Sequence, residues 1–230
     1  MDSKVLTPLQ ERVLVALFEN RLGDRGYYLT GGTALAEFYL QHRYSDDLDL
    51  FTRKSGPLKE DFENFSGLFL SLGLIVASQS VTEEYARFLV SPENQKDLGL
   101  KVEFAKDAGA MMAPSEVHGH VVVDSFEDIA VNKICAILNR QPSESKDFCD
   151  LFFILRESRY ELDYLISRAR EKEAALDQEE GVLGFATNLL AVEEFTILPR
   201  LIKPLSLDEL RQYFIPLAEE LIQRLRPRGG

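Results

Sequence analysis

Two aspartates, Asp47 and Asp49, stand two positions apart in the stretch DLDLF at 47–51, whose alternation is typical of a β-strand. Because successive strand side chains leave on opposite faces, both carboxylates share one face while Leu48 and Leu50 take the other. Hard oxygen ligands of this kind suit Mg²⁺ bound together with substrate phosphates. An exposed acidic strand end is the simpler interpretation of the pair taken alone, so its context has to decide.

A glycine turn precedes this strand. Gly31, Gly32 and Thr33 lie between a predicted strand at 27–29 and a predicted helix at 34–43. Glycine permits a positive φ and the close approach of a ligand, and the N–H groups at a helix N-terminus attract anions. Such a turn is more often only a tight turn, and it matches neither the dinucleotide-binding nor the P-loop pattern. Beside the two aspartates, it predicts a place for phosphate.

A third carboxylate comes from a later predicted strand at 98–105, where Lys101 and Glu103 share the polar face. Three carboxylates from two neighbouring strands can hold two metal ions. One ion activates an attacking oxygen, and the other stabilises the pyrophosphate that leaves a nucleoside triphosphate. A solvated strand face explains Lys101 and Glu103 equally well, so this point stays open.

Two cations project from one side of the helix predicted at 125–140. Lys133 falls on the apolar stripe seven residues after Phe126, and Arg140 follows seven residues later. One interpretation is that the lysine snorkels at the edge of the core. The other is a cationic wall that faces a triphosphate or the carboxylates.

The helix predicted at 144–156 adds two acids and a lysine. Asp147 lies in the first turn, where a carboxylate favours the helix dipole. Asp150 lies a turn further along, at i+4 from Lys146, and is less well explained in that way.

The elements around these residues follow from changes of hydrophobic period. The predicted helices and strands of the first part are a helix at 5–18, a helix at 61–72 and strands at 75–80, 85–90, 98–105 and 121–123. From Ser125 onward the pattern is helical: 125–140, 144–156, 160–178, 182–194 and 206–225, the last with a capping box of Ser206 and Glu209. We therefore predict an α/β part over residues 1–124 and a helical part over 125–230.

The composition of the 230-residue chain is that of an ordinary globular protein, with 45% hydrophobic and 28% charged residues. Its net charge of −12 argues against a broad electrostatic footprint on nucleic acid, so a polyanionic partner has to be held by a local basic cleft.

The chain has two cysteines, Cys135 and Cys149. We find no signal segment and no apolar run of the roughly 18 residues that cross a bilayer. We expect a reduced, cytoplasmic protein that does not engage membranes.

Four segments in this order resemble the AbiEii/AbiGii toxin family: GGTALAEFYLQHRYSDDLDLF (31–51), KVE (101–103), NKICAILNR (132–140) and KDFCDLFF (146–153). The resemblance covers about residues 27 to 155. It implies a nucleotidyltransferase of the DNA polymerase beta type, with an α+β fold. In this fold an N-terminal mixed sheet with flanking helices precedes a C-terminal helical bundle that completes the active-site cleft.

The resemblance also assigns roles to residues of this sequence. Asp47, Asp49 and Glu103 are implied as metal ligands, and they are implied as catalytic together with Lys133 and Asp150. The residues implied in binding the nucleotide are Gly31, Gly32, Thr33, Ser45, Lys101, Arg140, Lys146 and Asp147. Two positions depart from the family. Glutamate replaces aspartate at 103, and Lys146 replaces an arginine that would offer a bidentate fork.

The activity implied is transfer of a nucleoside monophosphate from a nucleoside triphosphate to a hydroxyl, with Mg²⁺ or Mn²⁺ as cofactor. The implied acceptor is the 3′ end of transfer RNA, and the chain would be the toxin of a toxin–antitoxin, phage-defence system with a cognate antitoxin. The chief alternative is a catalytically silent protein that binds a triphosphate or a protein partner. A sugar-nucleotide transferase also uses a D-x-D motif, but the Gly-Gly-Thr turn before Asp47 argues against it by resemblance.

His118 and His120 are a further candidate pair for a metal. Gly119 separates them and no cysteine lies nearby, so a turn is the favoured interpretation.

Overall fold

The structure, a computed structural model, describes residues 5–95 and 98–225, and these divide into two units. The first unit takes its described residues from Met1–Tyr39, Tyr44–Ala108 and Ala113–Ser125. The second takes them from Leu40–Arg43, Gly109–Met112 and Phe126–Gly230. The chain therefore contributes two short segments to the second unit before its helical part begins.

The first unit contains a sheet and its helices. The strands are β1 (Tyr27–Thr30), β2 (Asp47–Thr52), β3 (Leu74–Val81), β4 (Tyr85–Pro92), β5 (Leu100–Lys106), β6 (Glu116–His118) and β7 (Val121–Val123). The helices are α1 (Pro8–Glu19), α2 (Gly31–Ala34), which continues as a π-helix (Leu35–Leu40), and α3 (Lys59–Ser71). β6 is the strand that the sequence did not predict, and His118 and His120 belong to its hairpin with Gly119 at a φ of 63°. The predicted turn is confirmed.

Within the described residues, seven strands form one sheet in the order β3-β4-β5-β2-β1-β7-β6. The strands predicted at 75–80, 85–90 and 98–105 are confirmed as β3, β4 and β5, which pair antiparallel in this order. β2 pairs parallel with β5 and antiparallel with β1. This mixed sheet brings the two carboxylate-bearing strands, β2 and β5, side by side.

One face of the sheet carries the core of the first unit. Leu48 and Leu50 of β2 are completely buried, as the alternation of polar and apolar residues predicts. The ring of Phe65 from α3 stacks on Phe104 of β5 with centroids 4.3 Å apart, and Tyr27 of β1 meets the same ring edge-on at 5.8 Å. The apolar side of β2 and β5 is thereby fixed, and the acidic side chains leave from the other side.

Capping determines where α1 begins. Thr7 accepts a hydrogen bond from the backbone N–H of Gln10, and the Gln10 side chain accepts one from the N–H of Thr7. Pro8 at the first helical position needs no N–H partner. The same Gln10 donates from Nε2 to the carbonyl of Ser45 at 2.7 Å, which joins α1 to the loop that precedes β2.

The helix predicted at 34–43 ends three residues earlier than predicted and is irregular. It begins at Gly31, widens into the π-helix and ends at Leu40. Gln41 has a φ of 49°, a left-handed conformation that a right-handed helix cannot continue through.

The second unit is helical. Its helices are α4 (Phe126–Asn139), α5 (Ser145–Glu157), α6 (Leu162–Ala169), α7 (Glu179–Leu189) and α8 (Leu207–Leu225), with 3₁₀ turns at Ala174–Asp177 and Leu190–Glu194. The helices predicted at 160–178 and 182–194 were therefore too long, because each sequence pattern continues through a 3₁₀ turn. The predicted capping box of Ser206 and Glu209 is confirmed. None of the helices in the described ranges is long and apolar enough to cross a membrane.

Candidate active site

The predicted acids of β2 and β5 lie next to each other across a parallel strand pair. Asp49 is the register partner of Glu103, and Asp47 is the partner of Lys101. All four side chains are partly exposed, whereas Leu48, Leu50 and Val102 between them are completely buried. The three carboxylates thus share the open face of the sheet.

Lys101 lies between two of the carboxylates. Its Nζ is 2.8 Å from Asp47 Oδ2 and 3.0 Å from Glu103 Oε2. Burial lowers the pKa of this ammonium, but the hydrogen bonds and charges of Asp47 and Glu103 outweigh burial and raise the pKa above its ordinary value. Lys101 is therefore charged at neutral pH and partly compensates the acidic face.

Glu103 has a second partner that sequence reasoning missed. The hydroxyl of Tyr85, on β4, donates a hydrogen bond to Glu103 Oε1. Burial raises the pKa of the Glu103 carboxyl, but Tyr85 and Lys101 outweigh burial and bring the pKa below its ordinary value. Burial, followed by the bond to Glu103, raises the pKa of Tyr85 to about 12. Glu103 is consequently an ionised carboxylate whose orientation is set from two sides.

The glycine turn lies against the second aspartate. Gly31 has a φ of 72°, and a Cβ added to it would come within 2.4 Å of Asp49 Oδ2. Thr33 is buried, and its hydroxyl donates to the backbone carbonyl of Asp47. Because its hydroxyl is used in this way, Thr33 positions the start of β2. The backbone N–H groups of the turn remain as its means of holding a phosphate.

The donor types of this face fit a hard divalent cation. Asp47, Asp49 and Glu103 offer carboxylate oxygens, the ligands that Mg²⁺ prefers, on one face of adjacent strands. Within the described part of the chain, no three acidic, histidine or cysteine side chains are already arranged around one point. Lys101 instead bridges Asp47 and Glu103. The residue types therefore fit the ion, although they do not form a preassembled cage.

A second group of predicted residues comes together in the second unit. Lys133 of α4 places its Nζ 2.8 Å from Asp147 Oδ1 and 2.7 Å from Asp150 Oδ2, both on α5. Burial lowers the pKa of Lys133, but Asp150 and Asp147 together raise it above its ordinary value. Of the two interpretations of Lys133, snorkelling is wrong, because the side chain faces two buried carboxylates.

Asp147 joins this group to the surface. Its Oδ2 accepts from Nη1 of Arg140, whose side chain is 38% exposed, while the side chain of Asp147 itself is only 3% exposed. Lys146 is also partly exposed, and within the described residues it pairs with Glu144 at 2.7 Å rather than with Asp147 or Asp150. Arg140 is thus the accessible cation of the group, and Asp147 links it to Lys133.

Asp150 is completely buried and has two partners that sequence reasoning missed, His42 and Arg43. Arg43 donates from Nε to Oδ1 at 2.6 Å and from Nη2 to Oδ2 at 2.8 Å, and His42 Nε2 lies 2.7 Å from Oδ1. Burial raises the pKa of Asp150, but Lys133 and Arg43 outweigh burial and hold it well below its ordinary value. The pattern around 42–43 carried no signal for this contact, because the partners lie 107 and 108 positions apart.

Solved structures share the fold of the chain. JHP933 from Helicobacter pylori aligns with a TM-score of 0.57 at 23% identity, covering 94% of this chain and 91% of that chain. The nucleotidyltransferase toxin MenT4 from Mycobacterium tuberculosis H37Rv aligns with a TM-score of 0.53 at 15% identity, covering 95% and 92%. The predicted α+β fold of the nucleotidyltransferase type is confirmed.

Sequence comparison then gives the family. An uncharacterised protein of Aquifex aeolicus is 29% identical over 156 residues, which are 66% of this chain and 68% of that protein. Residues 12–225 match the family described as nucleotidyl transferase AbiEii toxin, type IV TA system. The chain belongs to this family of toxin nucleotidyltransferases. The match continues well beyond residue 155 and therefore also covers the C-terminal helices.

Proposed function

We propose that this toxin nucleotidyltransferase moves a nucleoside monophosphate from a nucleoside triphosphate to a hydroxyl at the 3′ end of transfer RNA, with Mg²⁺ or Mn²⁺ as cofactor. The observation that carries the proposal is the pairing of Asp49 with Glu103 and of Asp47 with Lys101 across β2 and β5. Asp47 and Asp49 lie two residues apart on β2, and Glu103 lies beside Asp49 on β5. We assign residues 1–124 to a nucleotidyltransferase domain and 125–230 to a helical domain.

Asp47, Asp49 and Glu103 are the residues that would hold the ion. When bound, the ion supplies charge neutralisation for the phosphates and a lower pKa for the attacking hydroxyl. The protein itself keeps the Glu103 carboxylate ionised, because Lys101 and Tyr85 hold it. Glu103 also orients the acceptor hydroxyl in this proposal, because its carboxylate is fixed from two sides.

Binding of the triphosphate is assigned to the glycine turn and to positive side chains. Gly31, Gly32 and Thr33 offer backbone N–H groups at the start of α2. In the second unit, Lys133 and Arg140 supply positive charge for phosphate oxygens. In this proposal Asp147 also belongs to the nucleotide-binding residues and Asp150 to the catalytic residues, and both carboxylates contact Lys133.

The proposed RNA acceptor and the proposed toxin–antitoxin role are supported by the family to which the chain belongs. A net charge of −12 requires that an RNA acceptor be held locally, through a basic cleft, rather than by the whole surface. The family is that of type IV toxin–antitoxin systems, which supports a cognate antitoxin as partner. A cytoplasmic location and a role in phage defence belong to the proposal as what the resemblance to the family implies.

The test compares the wild type with a variant that carries Asp47→Ala and Asp49→Ala. Each protein is incubated with Mg²⁺, one of four α-labelled nucleoside triphosphates, and total cellular RNA or protein. We expect label in small RNA, lowered by at least about a hundredfold in the double variant. The double variant should stay folded, since removing two close like charges relieves repulsion. The matched control carries Glu83→Ala and Glu84→Ala, which remove two exposed acids from the loop between β3 and β4.

A binding protein without turnover is the second candidate. It is favoured by the position of Lys101, which bridges Asp47 and Glu103 and thus already compensates part of their charge. Saturable, Mg²⁺-dependent triphosphate binding with no label in any macromolecule would support it over the transferase. Labelled protein instead of labelled RNA would retain the transferase and replace the acceptor.

A further inference from the structure

His42 and Arg43 form the inner end of a buried chain of charges in the second unit. His42 is completely buried and Arg43 nearly so, and both contact the completely buried Asp150. The chain of contacts continues from Asp150 to Lys133 and from Lys133 to Asp147. His42 and Arg43 are therefore three contacts away from Asp147, although neither was predicted to have a role.

The hydrogen bonds fix the carboxylate of Asp150 completely. Its Oδ1 accepts hydrogen bonds from Arg43 Nε and His42 Nε2. Its Oδ2 accepts a hydrogen bond from Arg43 Nη2 and forms an ion pair with Lys133 Nζ. The two parallel bonds from one planar guanidinium set the plane of the carboxylate, which a lysine cannot do. The direction in which Oδ2 meets the Lys133 ammonium is set by this plane.

The side chains of the cluster carry one more positive than negative charge. In this group of described side chains, the cations Arg43, Lys133, Arg140 and Lys146 face three carboxylates, Asp147, Asp150 and Glu144. His42 is neutral at pH 7, because burial lowers the pKa of its imidazole below its ordinary value. It thus adds a hydrogen bond to Asp150 without adding charge, and within the described ranges its Nδ1 has no hydrogen-bond partner.

We propose that Arg43 and His42 are positioning residues for nucleotidyl transfer, which fix Asp150 so that Lys133 holds its ammonium in one place for the phosphates of the triphosphate. The inference rests on the proposed function, in which Lys133 neutralises phosphate charge. A positive charge stabilises the transition state most when it is already in place and does not have to move while negative charge develops on the phosphates. Loss of the two parallel hydrogen bonds from Arg43 to Asp150 should therefore slow the chemical step more than it weakens triphosphate binding.

Kinetics of Arg43→Lys test this directly, since the variant keeps the charge and removes the fork. We expect kcat about tenfold lower, with the KM for the triphosphate changed less than about threefold. The matched control is Arg168→Lys, whose Nε pairs with Glu127 outside the cluster at 2.9 Å, and it should stay within about twofold. In a Lys133→Met background, Arg43→Lys should cost less than about twofold, because it acts through Lys133.

His42 allows a rescue experiment. His42→Leu removes the donor to Asp150 and should lower kcat about threefold, whereas His42→Gln keeps an N–H donor and should restore most of it. Equal kcat for His42→Leu and wild type would remove His42 from the proposal. Equal loss from Arg43→Lys with and without Lys133 would overturn the role of Arg43.

A second measurement does not depend on catalysis. The ¹⁵N NMR signal of the Lys133 ammonium, assigned by its loss in Lys133→Met, should shift and exchange faster in Arg43→Lys but not in Arg168→Lys. An unchanged Lys133 signal in Arg43→Lys would overturn the inference. Absence of transfer by the wild type with every triphosphate and acceptor would instead overturn the proposed function, while the NMR signal still decides whether Arg43 positions Lys133.

Discussion

The backbone of Gly31 lies directly against the carboxylate of Asp49. A Cβ at position 31 would come within 2.4 Å of Oδ2 and within 3.3 Å of the Cβ of Asp49. The turn and the second aspartate therefore fit together only when the turn residue has no side chain. This contact links the two features of the sequence that first suggested a phosphate and metal site.

Gly31→Ala should impair transfer more than it impairs folding. The φ of 72° is strained for alanine, and the added methyl group also has to displace Asp49. Gly73→Ala is the matched control, because Gly73 has a similar φ of 69° and open space where the methyl group of alanine would lie. Both variants should lose about 1 kcal/mol of stability through φ strain alone, and Gly31→Ala should lose activity in addition. Equal activities of the two variants would show that the position of Asp49 is not critical.

Tyr85→Phe should lower the rate of transfer about three- to tenfold without unfolding the protein. The hydroxyl of Tyr85 orients Glu103, and its loss leaves Lys101 as the remaining described hydrogen-bond partner of that carboxylate. Tyr164→Phe is the control, since Tyr164 also donates to a glutamate, Glu127, at 2.7 Å but lies outside the site. A rate in Tyr85→Phe equal to that of Tyr164→Phe would contradict a role for Tyr85 in holding Glu103.

The sequence was informative where a local period determines the outcome. Alternation in β2 placed Asp47 and Asp49 on one face, and the same rule placed Glu103 on the polar face of β5. Tyr85 could not be assigned in this way, because its contact with Glu103 depends on which strand lies beside β5. That neighbour is set by strand order, which a period of two residues does not encode.

Long-range contacts were equally out of reach in the second cluster. Helical spacing predicted that Lys133 and Arg140 project from one side of the helix at 125–140, and both contact Asp147. His42 and Arg43 reach Asp150 from a segment more than one hundred residues away, and they follow a π-helix that ends earlier than the sequence predicts. Only the tertiary fold reveals this pairing.

The stability of the protein should decrease as the pH falls below about 6.5, and His42 should cause part of this decrease. Burial, only partly offset by the hydrogen bond to Asp150, lowers the pKa of His42 below its ordinary value of 6.5, and Arg43 and Lys133 lower it further. The unfolded chain therefore binds more protons than the folded protein between 6.5 and the lower folded pKa. Chemical denaturation at a series of pH values should show that the stability of His42→Gln depends less steeply on pH than that of the wild type as the pH falls below about 6.5. A wild-type slope in His42→Gln would contradict the prediction.

Asp150→Asn should be among the most destabilising single substitutions in the chain. The amide has nearly the shape of the carboxylate, but it removes a negative charge that faces Arg43 and Lys133 in a buried place, and it leaves Asp147 as the carboxylate that faces Lys133. Breaking a buried ion pair from one side costs about 3–5 kcal/mol. Asp163→Asn is the control, because Asp163 pairs with Arg224 across 65% and 46% exposed side chains, where such a pair contributes at most about 1 kcal/mol. Denaturant unfolding of both variants measures the difference. A loss in Asp150→Asn as small as that in Asp163→Asn would mean that Arg43 and Lys133 find water or another partner, and the fixed geometry proposed for Lys133 would then lose its basis.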